Sequence, residues 1–168
     1  MKHHFFKNLT VSYQLFFGSI PLLNAQEASG NFTFQSDAPQ TNIQATATRL
    51  ADDINAKGIL ALTSSGKSAI KMSRYRPKTP IYAFTHDNKV LNSLNPIWGV
   101  EPIAKFKEAR ASRMIKKMLK ILKNRNQLDE NGPYIVTIGY PAGVPGSTNT
   151  IKVLNSSEIK YYLNYIIS

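Results

Sequence analysis

The amino-acid sequence predicts an α/β fold. We expect a three-layer sandwich in which about five strands form a mostly parallel sheet, with one antiparallel edge strand and helices on both faces. Short runs of uninterrupted apolar residues alternate with longer segments whose apolar residues recur at helical spacing. Strands that are apolar throughout are typical of a sheet buried on both faces, and their alternation with helices is typical of parallel pairing.

The first part of the domain is predicted to begin with a helix over residues 41–56. Thr41 is a suitable N-cap residue, and the apolar residues that follow recur near the 3.6-residue period of one helix face. Gly58 is expected to break this helix, and the apolar run over residues 59–62 then forms a strand. A second helix is predicted over residues 67–75.

A turn and a second strand–helix unit follow. Residues 76–80 are predicted to turn because they contain prolines, and the residue before a proline avoids helical geometry. We expect an apolar strand over residues 81–85 and a helix over residues 88–94, with Asp87 as its N-cap. A third, short strand is predicted over residues 98–102.

The last part of the domain is predicted to contain the longest helix, over residues 105–123, and two strands over residues 134–138 and 149–154. The last strand is expected to pair antiparallel with the strand before it. Residues 156–168 form a tail whose apolar residues recur at helical spacing, which predicts a short helix. The apolar stripe of the longest helix consists of Met114, Ile115, Met118, Leu119 and Leu122.

The predicted domain covers residues 38–155. Residues 1–37 are interpreted as an N-terminal extension, or a weak leader, plus a linker over residues 26–38 that is rich in small and polar residues. The first 25 residues have a basic start and an interrupted apolar run, which is too polar for a membrane span. We expect a cytoplasmic protein, or a secreted or periplasmic one if residues 1–25 are a cleaved leader.

The composition limits the chemistry of this chain. Its 168 residues include no cysteine, which excludes disulfides and thiolate chemistry, and the three histidines are too scattered for a convincing metal site. The formal net charge of +11 indicates either a polyanion partner, such as nucleic acid or an acidic membrane, or a solvated basic surface. We favour the solvated surface, because the lysines of the longest helix recur on one face: Lys116, Lys117, Lys120 and Lys123.

The clearest indication of function follows the strand at residues 59–62. A small polar loop there leads into a helix, so backbone N–H groups and the positive end of the helix dipole can meet an anion. The loop is close to a nucleotide-binding P-loop, but Ala61 stands where that motif requires glycine, and no predicted strand ends in an aspartate that could hold magnesium. We predict a phosphate cradle without hydrolysis, and a plain strand-to-helix turn is the alternative. The predicted phosphate-binding residues are Thr63, Ser64, Ser65, Gly66, Lys67 and Ser68.

A second small polar loop follows the strand at residues 134–138. The carboxyl ends of parallel strands meet at one edge of a sheet, so the two loops could face a shared site. Together they would supply several neutral donors in addition to Lys67, which suits a sugar phosphate better than a bare ion. The residues predicted for this second loop are Gly146, Ser147 and Thr148.

The sequence shows no recognisable catalytic constellation. Its acidic pair, Asp52 and Asp53, lies near the end of a predicted helix and is interpreted as solvated. Trp98 is interpreted as a packing residue. Arg74 and Arg76 are interpreted as solvated surface residues or salt-bridge partners.

Four blocks of this sequence occur in the order and with the spacing of a known family. The first, residues 45–69, contains the run Leu-Thr-Ser-Ser-Gly-Lys-Ser, and the last, residues 135–153, contains Gly-Ser-Thr-Asn-Thr. Between them lie residues 72–85 and 98–102. The chain resembles the C-terminal domain of pyruvate kinase over about residues 38–154.

The resemblance implies an α/β sandwich that carries no chemistry itself, forms part of a subunit interface and binds a phosphorylated effector. The first loop resembles the effector-phosphate loop of that family, and the second loop resembles its other effector-facing loop. The catalytic barrel of the family, which would bind its magnesium and potassium ions, has no counterpart here. We therefore expect no cofactor, no catalytic residue and no activity of this domain alone. The expected partners are a phosphorylated small molecule and either a second copy of the chain or pyruvate kinase subunits.

Three functions follow from these observations. The first is a stand-alone regulatory-type domain that binds a phosphorylated metabolite or mediates subunit association, linked to the glycolytic conversion of phosphoenolpyruvate to pyruvate. The second is a fragment of a split or decayed pyruvate kinase. The third is a basic interaction protein that reuses the fold for nucleic acid or membrane binding.

Overall fold

The computed structural model describes residues 33–35, 40–105, 107, 110–140 and 146–164, with side chains from residue 43 onwards. Within this range, six strands form a single sheet and five helices accompany it. The predicted extension or leader over residues 1–25 lies outside the described residues. The elements in chain order are β1 Thr33–Gln35, α1 Gln40–Asp53, β2 Gly58–Leu62, α2 Lys67–Arg74, β3 Ile81–Thr85, α3 Asn88–Ser93, β4 Val100–Lys105, α4 Ala111–Asn124, β5 Tyr134–Gly139, β6 Thr148–Leu154 and α5 Ser156–Asn164.

The strands lie in the order β1-β6-β5-β2-β3-β4. The four strands β5, β2, β3 and β4 run parallel to one another, whereas β6 runs antiparallel to β5. This confirms the predicted mostly parallel sheet with an antiparallel strand, although that strand, β6, was predicted at the edge of the sheet, where β1 lies instead. All five predicted strands are present.

The sixth strand, β1, is a correction to the sequence prediction. It pairs antiparallel with β6, with Thr33 opposite Lys152 and Gln35 opposite Thr150. It lies inside the segment that was predicted as a linker, and it makes β6 an internal strand. Three residues are too few to show a two-residue alternation, so the strand depends on backbone pairing with a distant segment rather than on its own pattern.

The sheet is covered on both faces, as predicted. Successive side chains of a strand point to opposite faces, and in β2 all of them are buried. Ile59 and Ala61 belong to one buried cluster, which includes residues of α1 and α2. Leu60 and Leu62 belong to the other cluster, which includes the apolar stripe of α4. The helices therefore form the two outer layers of the sandwich.

The helix ends follow local capping chemistry. Asp87 caps α3 as predicted, because its carboxylate accepts a hydrogen bond from the Lys89 N–H at 2.7 Å. The helix α1 ends at Asp53, earlier than the predicted residue 56. Asn55 adopts a positive φ of 51°, and the Ala56 N–H donates to the Ala51 carbonyl oxygen at 2.8 Å. The chain thus leaves the helix before Gly58, which begins β2 instead.

The boundary between β4 and α4 differs from the predicted one. The predicted strand over residues 98–102 begins at Val100 instead, because Gly99 has a φ of 67° that an extended strand does not use. The strand continues to Lys105, which pairs with Thr85 of β3. The helix predicted from residue 105 therefore begins at Ala111. Among the described residues, no helix is long and apolar enough to cross a membrane.

Trp98 is not the packing residue that the sequence suggested. Its side chain is 51% exposed, and the Arg76 guanidinium lies 5.4 Å from the centre of its ring. This arrangement is a cation–π contact, a role of Arg76 that the sequence did not predict. The turn that contains Trp98 is held through its backbone, since the Ser73 hydroxyl donates to the Trp98 carbonyl oxygen.

The predicted helical tail is present as α5, and residues 165–168 lie outside the described part of the chain. Its first turn is a capping box: the Asn155 side-chain oxygen accepts from the Glu158 N–H at 2.9 Å, and the Glu158 carboxylate accepts from the Asn155 N–H at 3.2 Å. Glu158 also forms a largely buried ion pair with Lys152 of β6, at 3.0 Å. Ile159 is fully buried in the cluster beneath α4, so α5 completes that layer.

Candidate functional site

A pocket lies beyond the carboxyl ends of β2, β3 and β5, at the start of β6. This is the edge at which ligands bind in open parallel sheets. The structure brings the two predicted loops together there. Eight of the nine predicted residues line the pocket, namely Thr63, Ser64, Ser65, Lys67, Ser68, Gly146, Ser147 and Thr148, and the ninth, Gly66, lies between them in the first loop.

The first loop is a tight turn with defined bonds. The Thr63 N–H donates to the carbonyl oxygen of Phe84 in β3 at 2.9 Å, and the buried Thr63 hydroxyl accepts from the Gly66 N–H at 2.9 Å. Gly66 itself has a φ of 79°, in the left-handed region that favours glycine. The hydrogen bond to the Thr63 side chain therefore closes the loop before α2 begins.

The helix α2 begins without a cap from the side chain of its N-cap residue. Gly66 is the N-cap residue and provides no side-chain cap, and the first helical bond is the one from the Ile70 N–H to the Gly66 carbonyl oxygen. The N–H groups of the first helical turn have no partner within their own helix. They also carry the positive end of the helix dipole, so an anion bound at this helix terminus would both accept their hydrogen bonds and interact favourably with the dipole.

The second loop is attached to the first by a side-chain hydrogen bond. The hydroxyls of Ser68 and Thr148, 80 positions apart in the sequence, are 2.7 Å from each other. The base of this loop is closed by Asn149, whose side chain accepts from the Tyr140 N–H at 3.1 Å and donates to the Tyr140 carbonyl oxygen at 2.9 Å. Residues 141–145 of the loop lie outside the described part of the chain.

Gly139, at the end of β5, permits the close approach of the second loop. A Cβ atom at this position would overlap the side chain and backbone of Ser147. The register between β5 and β6 also shifts at this point, between Ile138 and Gly139. Only a residue without a side chain allows Ser147 to lie this close to β5.

The charges around the pocket favour an anion. Lys67 and Lys71 lie one helical turn apart on α2, and both line the pocket together with His86, which follows β3. None of the described residues that line the pocket is acidic. Among the described residues, no three His, Asp or Glu side chains are grouped closely enough to hold a metal ion.

Four polar or small residues of the pocket were not predicted from the sequence. Lys71 could have been found from its spacing to Lys67, and His86 from its place after a strand. Gly139 could be identified only from its close approach to Ser147 in the second loop. Gln44 gave no signal, because a single polar residue in an amphipathic helix is normally assigned to the exposed face, whereas here it is 1% exposed.

The fold and the pocket define a class: an α/β sandwich domain with a hydroxyl-rich, cation-lined pocket at the carboxyl edge of its sheet. The family model described as "Pyruvate kinase, alpha/beta domain" matches residues 41–154. The chain therefore belongs to the pyruvate kinase α/β domain family. This confirms the resemblance inferred from the four sequence blocks.

Individual relatives agree with this assignment. The chain is 35% identical over 105 residues to a pyruvate kinase of Lactobacillus delbrueckii subsp. bulgaricus, covering 62% of this chain and 18% of that protein. It is 32% identical over 123 residues to pyruvate kinase 2 of Synechocystis sp., covering 71% and 21%. It is 33% identical over 103 residues to a pyruvate kinase of Clostridium acetobutylicum, covering 61% and 22%. The chain thus spans about a fifth of the length of these curated relatives.

Proposed function

We propose that the pocket binds the phosphoryl group of a phosphorylated metabolite, and that this binding is the function of the domain. The observation that carries the proposal is the Ser68–Thr148 hydrogen bond. It holds two hydroxyl-rich loops from distant parts of the sequence against one open helix terminus. A plain strand-to-helix turn would not require a second polar loop at this position.

The chemistry of the pocket matches a phosphoryl group. Such a group presents several acceptor oxygens, and the pocket offers donors: the first-turn N–H groups of α2, the hydroxyls of Ser64, Ser65 and Ser68, and the ammonium groups of Lys67 and Lys71. Hydrogen bonds to a charged group contribute about 1.5–3 kcal/mol each. The lack of a described carboxylate in the lining removes a source of repulsion.

The related proteins suggest the setting of this site. They are named pyruvate kinases. We propose that the bound metabolite regulates the conversion of phosphoenolpyruvate to pyruvate, through association of this domain with a pyruvate kinase catalytic barrel or with a second copy. Light scattering with and without the metabolite, alone and mixed with a pyruvate kinase, tests the association. Association would be contradicted if the chain alone stayed at the mass of one chain and the mixture showed no species heavier than the pyruvate kinase alone.

The ligand claim is tested by titration calorimetry with inorganic phosphate, sugar phosphates and nucleoside monophosphates. We expect Lys67→Ala to weaken binding by roughly tenfold, the lower end of the range for a charged partner, because Lys67 is exposed. The matched control is Lys120→Ala, which removes the same charge from an exposed position of α4 on the opposite face of the sheet.

The two variants also separate the proposed function from the basic-surface alternative. The phosphate site predicts that Lys120→Ala binds like the wild type. Binding that is equally weakened by both substitutions would show that the net charge, and not the pocket, attracts the ligand. Absence of binding to every phosphorylated compound would refute the proposal.

A further inference from the structure

The exposed side of α4 carries a row of cations that the pocket does not use. Arg113, Lys117 and Lys120 are exposed, and their spacing places them on one side of the helix, opposite the apolar stripe that packs on the sheet. Successive members of the row are about 4.5–6 Å apart along the helix axis. The helix contains no acidic residue that would interrupt them. We call these three residues the basic stripe.

The layer that α4 and α5 form has a surplus of positive charge. The two helices hold six cationic side chains, five in α4 and one in α5, against the single carboxylate of Glu158. Glu158 pairs with Lys152 of β6 at 3.0 Å, where both side chains are largely buried. Glu130, which follows α4, pairs with Lys123 at 2.7 Å. Both carboxylates therefore pair with lysines outside the basic stripe.

An exposed tyrosine lies in the same outer layer as the basic stripe. The helix α5 packs against α4, and both helices cover the same face of the sheet. Ile159 is buried in the core, and Tyr161, two positions later, lies on the other side of α5 and is 56% exposed. Its ring meets the ring of Tyr162 edge to face, with the ring centres 6.0 Å apart. The layer therefore presents an aromatic ring as well as a row of cations.

This combination favours a strand of phosphates with unstacked bases. A row of cations contacts several phosphates of one strand at once, and an exposed aromatic ring stacks on a base; single-strand binding surfaces combine these two elements. A helix that lies in a membrane inserts its apolar side chains, whereas the apolar stripe of α4 is buried in the core. The exposed large apolar side chains among the described residues are all aromatic. An acidic membrane is therefore the less suitable partner.

We propose that α4 and α5 form a binding surface for single-stranded nucleic acid. The basic stripe contacts successive phosphates of the strand, and Tyr161 stacks on one of its bases. The pocket lies elsewhere, at the carboxyl edge of the sheet beside α2, so this proposal does not depend on the phosphoryl site. A single phosphoryl group contacts too few of these cations at once to be held, so a sugar phosphate is not a ligand of this surface.

Fluorescence anisotropy with a labelled oligothymidine of about 12 nucleotides tests the surface. We expect saturable binding by the wild type that weakens steeply with salt. Replacing the whole basic stripe, with Arg113→Ala, Lys117→Ala and Lys120→Ala together, should lower the affinity by about tenfold or more. The slope of log affinity against log salt concentration should fall by roughly 2, because each phosphate contact on a single strand contributes about 0.7.

The matched control removes three exposed cations that lie outside α4 and α5, with Arg49→Ala, Lys78→Ala and Lys89→Ala. This control has the same net charge as the stripe variant. We expect it to keep the wild-type affinity within about threefold, because the removed charges lie away from the bound strand. Equal losses of affinity in the two variants would show that the net charge alone attracts the strand, and would overturn the proposal.

Tyr161→Ala separates stacking from charge, and it tests the surface even if the stripe variant does not fold. We expect this substitution to weaken oligothymidine binding by about fivefold or more, and to leave binding of inorganic polyphosphate, which has no bases, unchanged. The proposal fails if both affinities fall equally, if neither falls, or if the wild type does not bind oligothymidine saturably. Tighter binding of a duplex of the same length, or of phosphatidylserine vesicles, would also overturn it, since the surface would then serve another polyanion.

Discussion

Ser68 and Thr148 form the contact on which the site depends at the scale of single residues. Each hydroxyl could be an ordinary cap or turn residue in its own loop. Their separation of 2.7 Å joins the two loops. Each of the two loops alone would be read as an ordinary polar turn. Together they place hydroxyl groups and lysines around one pocket.

Gly139 allows this junction and provides a direct test of it. We expect Gly139→Ala to weaken binding of phosphorylated ligands by about tenfold or more, because the new methyl group would displace Ser147 and with it the second loop. Calorimetry measures the affinity, and thermal unfolding shows whether the fold is retained. A folded variant with wild-type affinity would show that the second loop does not contribute to binding.

Some residues of the pocket could be predicted from the sequence and others could not. The hydroxyl loops and Lys67 could be predicted, because a strand, a small polar loop and a helix form a local pattern. The place of Gln44 in the pocket could not, because no local pattern encodes the burial of a polar residue. Trp98 was misassigned for the same reason: the exposure of a tryptophan depends on what lies over it.

At the scale of elements, the sequence predicted which segments form strands and helices more accurately than it predicted where those elements end. The buried strands β2, β3 and β5 are continuous apolar runs, and the apolar stripe of α4 lies in the core as expected. The ends of α1 and β4 differ by several residues, since they depend on a positive φ at Asn55 and on the pairing of Lys105 with β3. Long-range pairing also explains β1, which has no periodicity of its own.

The helix α5 is held by a capping box as well as by Ile159. We expect Asn155→Ala to lower the free energy of unfolding by about 1 kcal/mol, because it removes the acceptor for the Glu158 N–H. Urea denaturation measures the change. The control is Asn124→Ala at the exposed last position of α4, which should alter the free energy by less than about 0.5 kcal/mol. Equal effects of both substitutions would argue against the capping role.

At the scale of the whole molecule, basic residues lie in two separate places, around the pocket and on α4. The pocket and its lysines lie at the carboxyl edge of the sheet, beside α2, whereas α4 packs its apolar stripe on the other side of the sheet and carries its lysines on its exposed face. On that exposed face, Lys123 forms an ion pair with Glu130 at 2.7 Å. The net charge of +11 therefore does not by itself identify the functional surface.

The most direct measurement is an amide ¹H–¹⁵N NMR titration of the full chain with a phosphorylated sugar and with inorganic phosphate. We predict saturable shifts of the first-turn amides of α2, at Lys67, Ser68 and Ala69, and of Ser147 and Thr148 in the second loop. Amides of α4 should remain unchanged. Shifts confined to α4, or no saturable shift at the start of α2, would contradict the claim that this pocket is a phosphoryl-binding site.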